Sequence, residues 1–456
     1  MARDQIDMTP IETRDELVAW LEAGNKPKAQ FRAGTEHEKF AFRVRDRRPI
    51  PYDGPRGIRK LLEGMQHLLG WEPIMEGDNI IGMFDVTGGG AISLEPGGQF
   101  ELSGAPVETV HQTCSELMAH LAQLREVARP LDIGFLGIGM TPDWTRADVP
   151  VMPKGRYKIM TGYMPKVGKL GIDMMYRTCT VQTNLDFASE ADMVKKLRVS
   201  LALQPVATAL FANSPFTEGK PNGMLSFRSH IWTDTDADRS GMLPFAFEDG
   251  MGFERYVDYA LDVPMYFLKR GDRYIDVSGQ SFRDLLAGKL PGAPGERASI
   301  SDWANHLSTI FPEVRLKRYL EMRGADSGPW RRLPSLTAYW IGLLYDDDSL
   351  TAAWDLAKDW TAEQRQKLRD DVPRLGFKAT VGNTSVLALA KETLRLADAG
   401  LRRRNKRDSR GQDETGFLRP LDELVARGAT PAEELLDKYN TVWNRSVDPI
   451  YNEYAY

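Results

Sequence analysis

The chain has 456 residues, of which 42% are apolar, and a formal net charge of −5. This composition is ordinary for a globular protein, and the negative charge gives no electrostatic reason to expect binding to nucleic acid or to an anionic membrane. No apolar run approaches the roughly 20 residues of a membrane-spanning helix. The polar N-terminus resembles neither a secretory signal nor a transit peptide, and two cysteines, Cys114 and Cys179, indicate reduced thiols. We therefore expect a cytoplasmic protein.

A capping-box signature, Thr13-x-x-Glu16, predicts the first helix. Hydrophobic periodicity and turn residues predict the elements that follow. In chain order they are a strand over 34–44, a strand pair within 91–103, a helix over 107–131, strands over 132–140 and 177–187, a helix over 190–212, and strands over 223–232 and 315–326. From about Leu336 the sequence is mainly helical. Because polar strands run from residue 36 to residue 323 without a linker, we expect one α+β domain over residues 1–456, with an antiparallel sheet and outer helices.

Several predicted strands carry hydrogen-bonding or charged side chains at every second position. Alternate residues of a strand share a face, so Glu36 and Glu38 project together, as do Gln99 and Glu101. The same rule gives three further polar faces: Thr178, Thr180, Gln182 and Asn184; Ser226, Arg228, His230 and Trp232; and Arg315, Lys317, Tyr319, Glu321 and Arg323. A solvated outer face of a sheet is the alternative interpretation. These groups of fixed reach and hydrogen-bonding geometry favour a binding cavity instead.

The residue types in these faces indicate a metal-dependent and nucleotide-dependent site. Carboxylates that converge on one cavity repel each other unless cations bind them. Glutamates with almost no histidine suit Mg2+ or Mn2+ better than Zn2+. Arg228 and Arg323 offer planar, bidentate donors for carboxylate or phosphate. No segment fits GxxxxGK[ST] or GxGxxG, so an ATP site here would be neither a P-loop nor a Rossmann site.

Several long strings resemble the plant and proteobacterial type of glutamate–cysteine ligase, among them GTEHEKFAF, LEPGGQFELSGAP, DMMYRTCTVQTNLDF and TIFPEVRLKRYLEMRGAD. The resemblance extends from about Thr9 to the final DPIYNEY. It implies a glutamine-synthetase-like fold, with a six-stranded antiparallel saddle-shaped sheet flanked by helices. It also implies the first step of glutathione biosynthesis, in which ATP phosphorylates the γ-carboxylate of L-glutamate and the amine of L-cysteine displaces the phosphate.

The resemblance also implies a role for each residue of the site. The metal-binding carboxylates would be Glu36, Glu38, Glu95, Glu101 and Glu321. Glu38 and Arg323 would act in catalysis, with Arg323 holding the transferred phosphoryl group. Arg228 would bind the α-carboxylate of glutamate, and the other substrate-binding residues would be Thr178, Thr180, Gln182, Asn184, Gln99, Arg156 and Tyr157. The expected cofactor is Mg2+, with Mn2+ as the alternative, ATP is the co-substrate, and a monomer or homodimer is expected.

Plant members carry regulatory disulfides whose cysteines are mostly missing here. Cys114 matches one of them, but Pro334 stands at the position of its partner. Val277 and Gly292 stand at the two positions of the second disulfide. We therefore expect no disulfide switch.

Three other functions are compatible with the sequence alone. A γ-glutamyl ligase of the same fold could use another amine as the acceptor. A non-catalytic homologue could keep the fold without the reaction, although the retention of all five glutamates and both arginines argues against it. A glycosidase also uses paired carboxylates, but it needs neither five glutamates nor two arginines.

Overall fold

The computed structural model describes residues 7–456, and an antiparallel sheet of nine strands lies at its centre. The strands are β1 (Ala33–Arg43), β2 (Glu72–Glu76), β3 (Asn79–Phe84), β4 (Ala91–Leu94), β5 (Phe100–Ser103), β6 (Ile133–Leu136), β7 (Thr180–Leu185), β8 (Val314–Leu316) and β9 (Leu320–Asp326). Their order is β8-β9-β7-β1-β5-β4-β3-β2, and β6 pairs with the C-terminal half of β1. Two-stranded ribbons lie outside this sheet, at 216–221, 240–241 with 311–312, 267–276 and 380–385.

Helices surround the sheet and make up most of the C-terminal third, as predicted. They are α1 (Arg14–Glu22), α2 (Ile58–Leu69), α3 (Val110–Ala128), α4 (Gly155–Val167), α5 (Gly171–Arg177), α6 (Glu190–Phe211), α7 (Phe227–Ile231), α8 (Phe253–Asp262), α9 (Phe282–Leu286), α10 (Ile300–Ser308), α11 (Leu333–Leu344), α12 (Asp347–Ala357), α13 (Ala362–Leu375), α14 (Val386–Arg404), α15 (Arg419–Arg427), α16 (Pro431–Thr441) and α17 (Ile450–Glu453). Across residues 7–456, every helix is too short or too polar to traverse a bilayer.

The starts of several helices follow from their capping residues. Thr13 and Glu16 form the predicted capping box at α1. Ser189 caps α6, because its side chain accepts a hydrogen bond from the backbone N–H of Asp192. The helix predicted over 107–131 is shorter in the structure, since Thr109 caps α3 and the helix ends at Ala128.

The core lies between one face of the sheet and helices α6 and α11. Val181 of β7 and Met322 of β9 belong to the same buried cluster as Leu201 of α6 and Tyr339 of α11. Every residue of α11 is buried, as is typical of a helix that is apolar on all sides. The core therefore covers this face of the sheet, and the opposite polar face is left to line a cleft.

Two predicted strands have a different structure. Residues 227–231 form helix α7, because the Ser226 hydroxyl accepts from the backbone N–H of Ser229 at 3.2 Å and starts a helical turn. The face predicted for Ser226, Arg228, His230 and Trp232 is therefore wrong. The segment 315–326 is a hairpin of β8 and β9, in which Arg315 lies opposite Glu321. The alternation of polar residues continued through the turn and hid it.

The α+β class with an antiparallel sheet is as predicted. The sheet has nine strands, whereas the family resemblance implied six. Six adjacent strands, β8-β9-β7-β1-β5-β4, carry the polar face, and β3, β2 and β6 extend the sheet beyond it.

Candidate active site

A cleft opens on the polar face of the sheet. Most of the predicted site residues line it: Glu36, Glu38, Glu95, Gln99, Glu101, Arg156, Tyr157, Thr178, Thr180, Gln182, Arg228 and Arg323. Asn184 and Glu321 lie beside the cleft and contact lining residues. The polar residues that alternate along β1, β5 and β7 therefore lie together in the cleft, although they come from distant parts of the chain.

Strand register fixes the carboxylates of β1 and β5. Glu38 lies directly opposite Glu101, and Glu101 lies opposite Ser93 of β4. The hydroxyls of Ser93 and Ser103 donate to the two oxygens of Glu101 at 2.7 and 3.2 Å. The backbone N–H of Thr180 donates to Glu38 at 2.9 Å. Neutral donors thus hold both carboxylates in place without neutralising their charge.

The negative charge of this group is compensated only in part by nearby cations. Burial, and then the charges of Glu95 and Glu101, raise the pKa of Glu38 well above its usual value. Burial and the charge of Glu321 raise the pKa of Glu36. The positive charges of Arg228 and Lys317 act in the opposite direction on Glu38 and Glu36, but burial and the neighbouring carboxylates outweigh them. The group is therefore suited to binding a further cation.

The glutamates do not meet at one point. Among residues 7–456, no three histidine, cysteine, aspartate or glutamate side chains are close enough together to hold a metal ion by themselves. Mg2+ commonly binds through one or two carboxylates and completes its shell with water and substrate phosphate. The donor set of Glu38, Glu95 and Glu101 fits this kind of binding, because a divalent cation would relieve the repulsion between the three carboxylates.

Glu321 has different surroundings from the other four glutamates. Its side chain is fully buried, and its oxygens accept from Arg315 at 2.7 and 2.9 Å, from Arg323 at 2.5 Å and from Lys317 at 3.0 Å. Burial alone would raise the pKa of Glu321, but the three cations lower it well below its usual value. Since both oxygens are occupied, these contacts do not support the predicted role of Glu321 as a metal ligand.

The two predicted arginines lie on one side of the cleft and contact each other. Arg228 donates from Nη2 to the backbone oxygen of Arg323 at 3.0 Å. Its Nη1 is buried and has no hydrogen-bond partner among residues 7–456. Arg323 donates from Nη1 to Gln182 at 2.7 Å, in addition to Glu321. An unpartnered buried guanidinium nitrogen is costly, so Arg228 is suited to an anionic ligand.

Gln99 fixes the turn that carries Glu95. Its Nε2 donates to the backbone oxygens of Met175 and Thr178 at 3.1 and 2.9 Å, and its Oε1 accepts from the N–H of Gly97 at 2.9 Å. A Cβ at Gly97 would lie 2.5 Å from a backbone oxygen, so this turn requires glycine. The amide of Gln99 is thus occupied by the backbone.

Tyr157 and Thr180 also hold the walls of the cleft. The hydroxyl of Tyr157 donates to the backbone oxygen of Leu94 at 2.8 Å and to Glu95 at 3.3 Å. The hydroxyl of Thr180 donates to the backbone oxygen of Ala325 at 2.8 Å. These contacts orient the neighbouring carboxylates.

Sequence reasoning missed the apolar wall of the cleft and the pairing of two cations with Glu321. The wall contains Met160, Met174, Met175, Trp232 and Phe311. It comes from loops and helices that have no alternation to reveal it. Arg315 and Lys317 were aligned with Glu321 in the sequence, and their contact with its carboxylate could have been inferred from that pattern.

Comparison with known proteins identifies the family. Residues 32–453 match the model of glutamate-cysteine ligase family 2. The chain belongs to this family. A chloroplastic glutamate–cysteine ligase of Arabidopsis thaliana is 61% identical over 444 residues, which cover 97% of this chain and 83% of that one. Chloroplastic glutamate–cysteine ligase B of Oryza sativa subsp. japonica is 59% identical over 453 residues, 99% of this chain and 89% of that one.

Membership of glutamate-cysteine ligase family 2 confirms the family and the enzyme class that the sequence resemblance implied. A solved glutamate–cysteine ligase of Francisella tularensis, in complex with AMP, superimposes with a TM-score of 0.56. The alignment covers 93% of this chain and 89% of that one at 12% identity, so it shows a shared fold. The predicted cytoplasmic location is wrong by these comparisons, because the similar family members are chloroplastic.

Proposed function

We propose that this chain joins the γ-carboxyl of L-glutamate to the amine of L-cysteine at the expense of ATP, the first step of glutathione synthesis. One observation carries the proposal. The same cleft holds Glu36 and Glu38, whose pKa values are raised by burial and by neighbouring carboxylates, and Arg228, which has a buried, unpartnered donor. A nucleotide-activated carboxylate needs both features, since cations must offset phosphate charge and a fixed donor must hold the substrate.

Mg2+, with Mn2+ as the alternative, would be held by one or two of the carboxylates of Glu38, Glu95 and Glu101, next to Glu36, together with water and substrate phosphate. The raised pKa of Glu38, which results from burial and from Glu95 and Glu101, supports this assignment. When bound, the metal would neutralise phosphate charge during phosphoryl transfer. Glu321 is left out of this set, because its charge is already balanced by three cations.

The two arginines have separate tasks. Arg228 binds the α-carboxylate of glutamate through its planar fork. Arg323 faces the phosphoryl group, and its contacts with Gln182 and Glu321 hold its guanidinium in one orientation. A donor fixed before the reaction stabilises developing charge without reorganising. Arg323 and Glu38 are thus the catalytic residues of the proposal.

The amino-acid substrates lie on the β7 side of the cleft. Thr178, Thr180 and Gln182 line this side, and Asn184 donates to Glu36 at 2.9 Å beside it. We also propose that residues 1–456 form one catalytic domain, since β7 and β9 pack against helices from both halves of the chain. The proposed state is a monomer or homodimer whose partners are L-glutamate, L-cysteine and ATP.

The test is a reconstituted ligation with a choice of amines. The purified chain is given ATP, Mg2+, L-glutamate and, separately, cysteine, serine, alanine and glycine, and dipeptide and phosphate are quantified. We expect γ-glutamylcysteine to form with the highest kcat/KM and in step with phosphate release. A better acceptor than cysteine would show that the enzyme is a γ-glutamyl ligase for another amine. No dipeptide with any amine would refute the proposed function.

A further inference from the structure

Helix α13 lies in the C-terminal third of the chain and contributes no side chain to the cleft. It nevertheless contacts α7, which carries Arg228, and Glu313, which precedes the strand paired with β9, the strand of Arg323. Arg369, near the middle of α13, is buried and donates from Nε to Glu313 at 2.9 Å. It also donates from Nη2 to the backbone oxygen of Ser229 in α7 at 3.3 Å. One side chain thus spans the two segments.

The contact with α7 is reinforced one turn further along α13. Pro373 lies in the last turn of α13, where the carbonyls have no helical donor. The carbonyl of Pro373 itself accepts from the backbone N–H groups of Leu225 and Ser226, at 2.7 and 2.9 Å. Helix α7 has only five residues, so it has little stability of its own. Together with Ser214 and Asp326, which bond the start of α7, helix α13 therefore helps to place α7 and Arg228 within it.

The contact with Glu313 leads to the other arginine. The backbone oxygen of Glu313 accepts from the N–H of Arg323 at 3.2 Å. Glu313 directly precedes β8, whose Arg315 binds Glu321 together with Arg323. Arg369 thus binds the side chain of the same residue, Glu313, whose backbone oxygen holds Arg323.

We infer that Arg369 is a positioning residue. It sets the separation of Arg228 and Arg323 by joining α7, which carries Arg228, to Glu313, whose backbone bonds Arg323. The inference rests on the proposed function, in which Arg228 holds glutamate and Arg323 faces the phosphoryl group. Phosphoryl transfer requires the attacking carboxylate of glutamate to be in line with the phosphoryl group and the leaving oxygen of ATP. A buried arginine is suited to this task because its rigid fork can make two directed bonds at once.

The test compares the steady-state kinetics of Arg369→Met and Arg369→Lys with those of the wild type. In Arg369→Met we expect KM for glutamate to rise and kcat to fall, each roughly tenfold, because a displacement of about 1 Å near the reaction can cost up to about 100-fold. KM for cysteine should change less. Arg369→Lys should recover part of the loss, since lysine can pair with Glu313 but cannot span to Ser229 as well.

Arg365→Met provides a matched control on the same helix. Arg365 is also buried, but its guanidinium stacks on Phe247 at 3.5 Å from the ring centre and bonds the Trp360 carbonyl, away from the cleft. We expect this variant to lose thermal stability while its kinetic constants stay at the wild-type values. Equal kinetic changes in both variants, or wild-type kinetics in Arg369→Met, would overturn the inference.

A double-mutant cycle separates positioning from general damage. If Arg369 acts through Arg228, the effects of Arg228→Lys and Arg369→Met on KM for glutamate should be strongly non-additive. Independent, multiplicative effects would overturn the inference. Failure of the proposed function is distinguishable, because then the wild type and Arg365→Met would form no γ-glutamylcysteine either.

Discussion

Two groups of glutamate share the polar face of one sheet and differ in what balances their charge. Glu38 is surrounded by other carboxylates, and burial together with Glu95 and Glu101 raises its pKa well above the usual value. Glu321 is surrounded by three cations that lower its pKa well below the usual value despite burial. The same residue type therefore serves two purposes. The first group keeps a negative charge that its surroundings balance only in part, and the second holds the arginines of the site in place.

This difference has a thermodynamic consequence. A group whose pKa is raised by folding makes folding less favourable when it ionises, whereas one whose pKa is lowered makes folding more favourable. The Glu38 group thus costs stability at neutral pH and is kept for function. The Glu321 group contributes stability at neutral pH, and its loss should be felt first in the fold.

The largest effect is expected from Glu38→Gln. Removing a catalytic charge that interacts with the transferred group should lower kcat by roughly 100-fold or more. The free energy of unfolding should not fall at pH 8, because the variant no longer ionises a buried carboxylate there. Initial rates and urea unfolding curves measure the two quantities.

The pH dependence of the stability of Glu38→Gln tests whether ionised Glu38 lowers the free energy of unfolding. Because the folded pKa of Glu38 lies above its unfolded value, the penalty is absent in acid and grows as pH rises through the folded pKa. The stability advantage of the glutamine variant should therefore be larger at pH 8 than at pH 4. An advantage that shrinks with rising pH would show that the carboxylates are compensated after all.

Unlike Glu38→Gln, the substitution Glu321→Gln should mainly lower the free energy of unfolding. Removing one partner from a buried ion network leaves cations unbalanced and costs about 3–5 kcal/mol. The lowered pKa of Glu321 means that its contribution is present above the unfolded pKa and is lost as pH falls through the folded pKa. The difference in urea midpoint between variant and wild type should therefore be large at pH 7 and should shrink in acid. A variant as stable as the wild type but inactive would return Glu321 to the metal site.

Arg228→Lys should mainly weaken glutamate binding. A lysine keeps the charge but not the planar fork, so KM for glutamate should rise by about tenfold while kcat changes less. KM for ATP provides the internal control, since Arg323 remains in place. An equal rise in both constants would mean that Arg228 and Arg323 are not divided between the two substrates.

The comparison also marks how far the sequence could predict the site. Alternation placed Glu36 with Glu38 on one strand and Gln99 with Glu101 on another, since strand geometry leaves little choice once the strands are recognised. It could not show which residues of neighbouring strands lie opposite each other, such as Glu38 and Glu101, because that depends on register. The family resemblance grouped Glu321 with the metal ligands, whereas the structure shows Arg315 and Lys317 paired with its carboxylate.

Local signals also competed with the periodic pattern. Ser226 reads equally well as one member of a polar strand face or as the cap of a helix, and the cap prevailed at α7. The contact between Arg369 and Glu313 joins residues 56 positions apart, and no local pattern predicts such a pair. The elements were therefore largely predictable, whereas the contacts that position the arginines were not.

Mg2+ should bind the carboxylates around Glu38 and not Glu321, and this binding should raise the stability of the folded protein. A ligand that binds the folded state alone raises stability by mass action, here on the order of 1 kcal/mol at a few times the dissociation constant. The thermal midpoint of the wild type should rise with Mg2+ more at pH 8 than at pH 6, because protons compete for the carboxylate of Glu38, whose pKa is raised. Glu38→Gln should lose this response. If Glu321→Gln lost it instead, the assignment of the two groups would be reversed.

The smallest effect is expected from oxidation, which should leave activity unchanged. Cys114 lies on α3 and Cys179 directly precedes β7, and both are free thiols. Burial raises the pKa of Cys114, and burial followed by the charge of Glu38 raises that of Cys179 well above its usual value. Few thiolates are then available to react, and the resemblance to plant members implies that Pro334 stands at the position of the disulfide partner of Cys114. Initial rates measured after equilibration in reduced and oxidised glutathione should agree. A loss of activity that a thiol reductant reverses would mean that a cysteine near Glu38 controls the site, and that carboxylate charge alone does not.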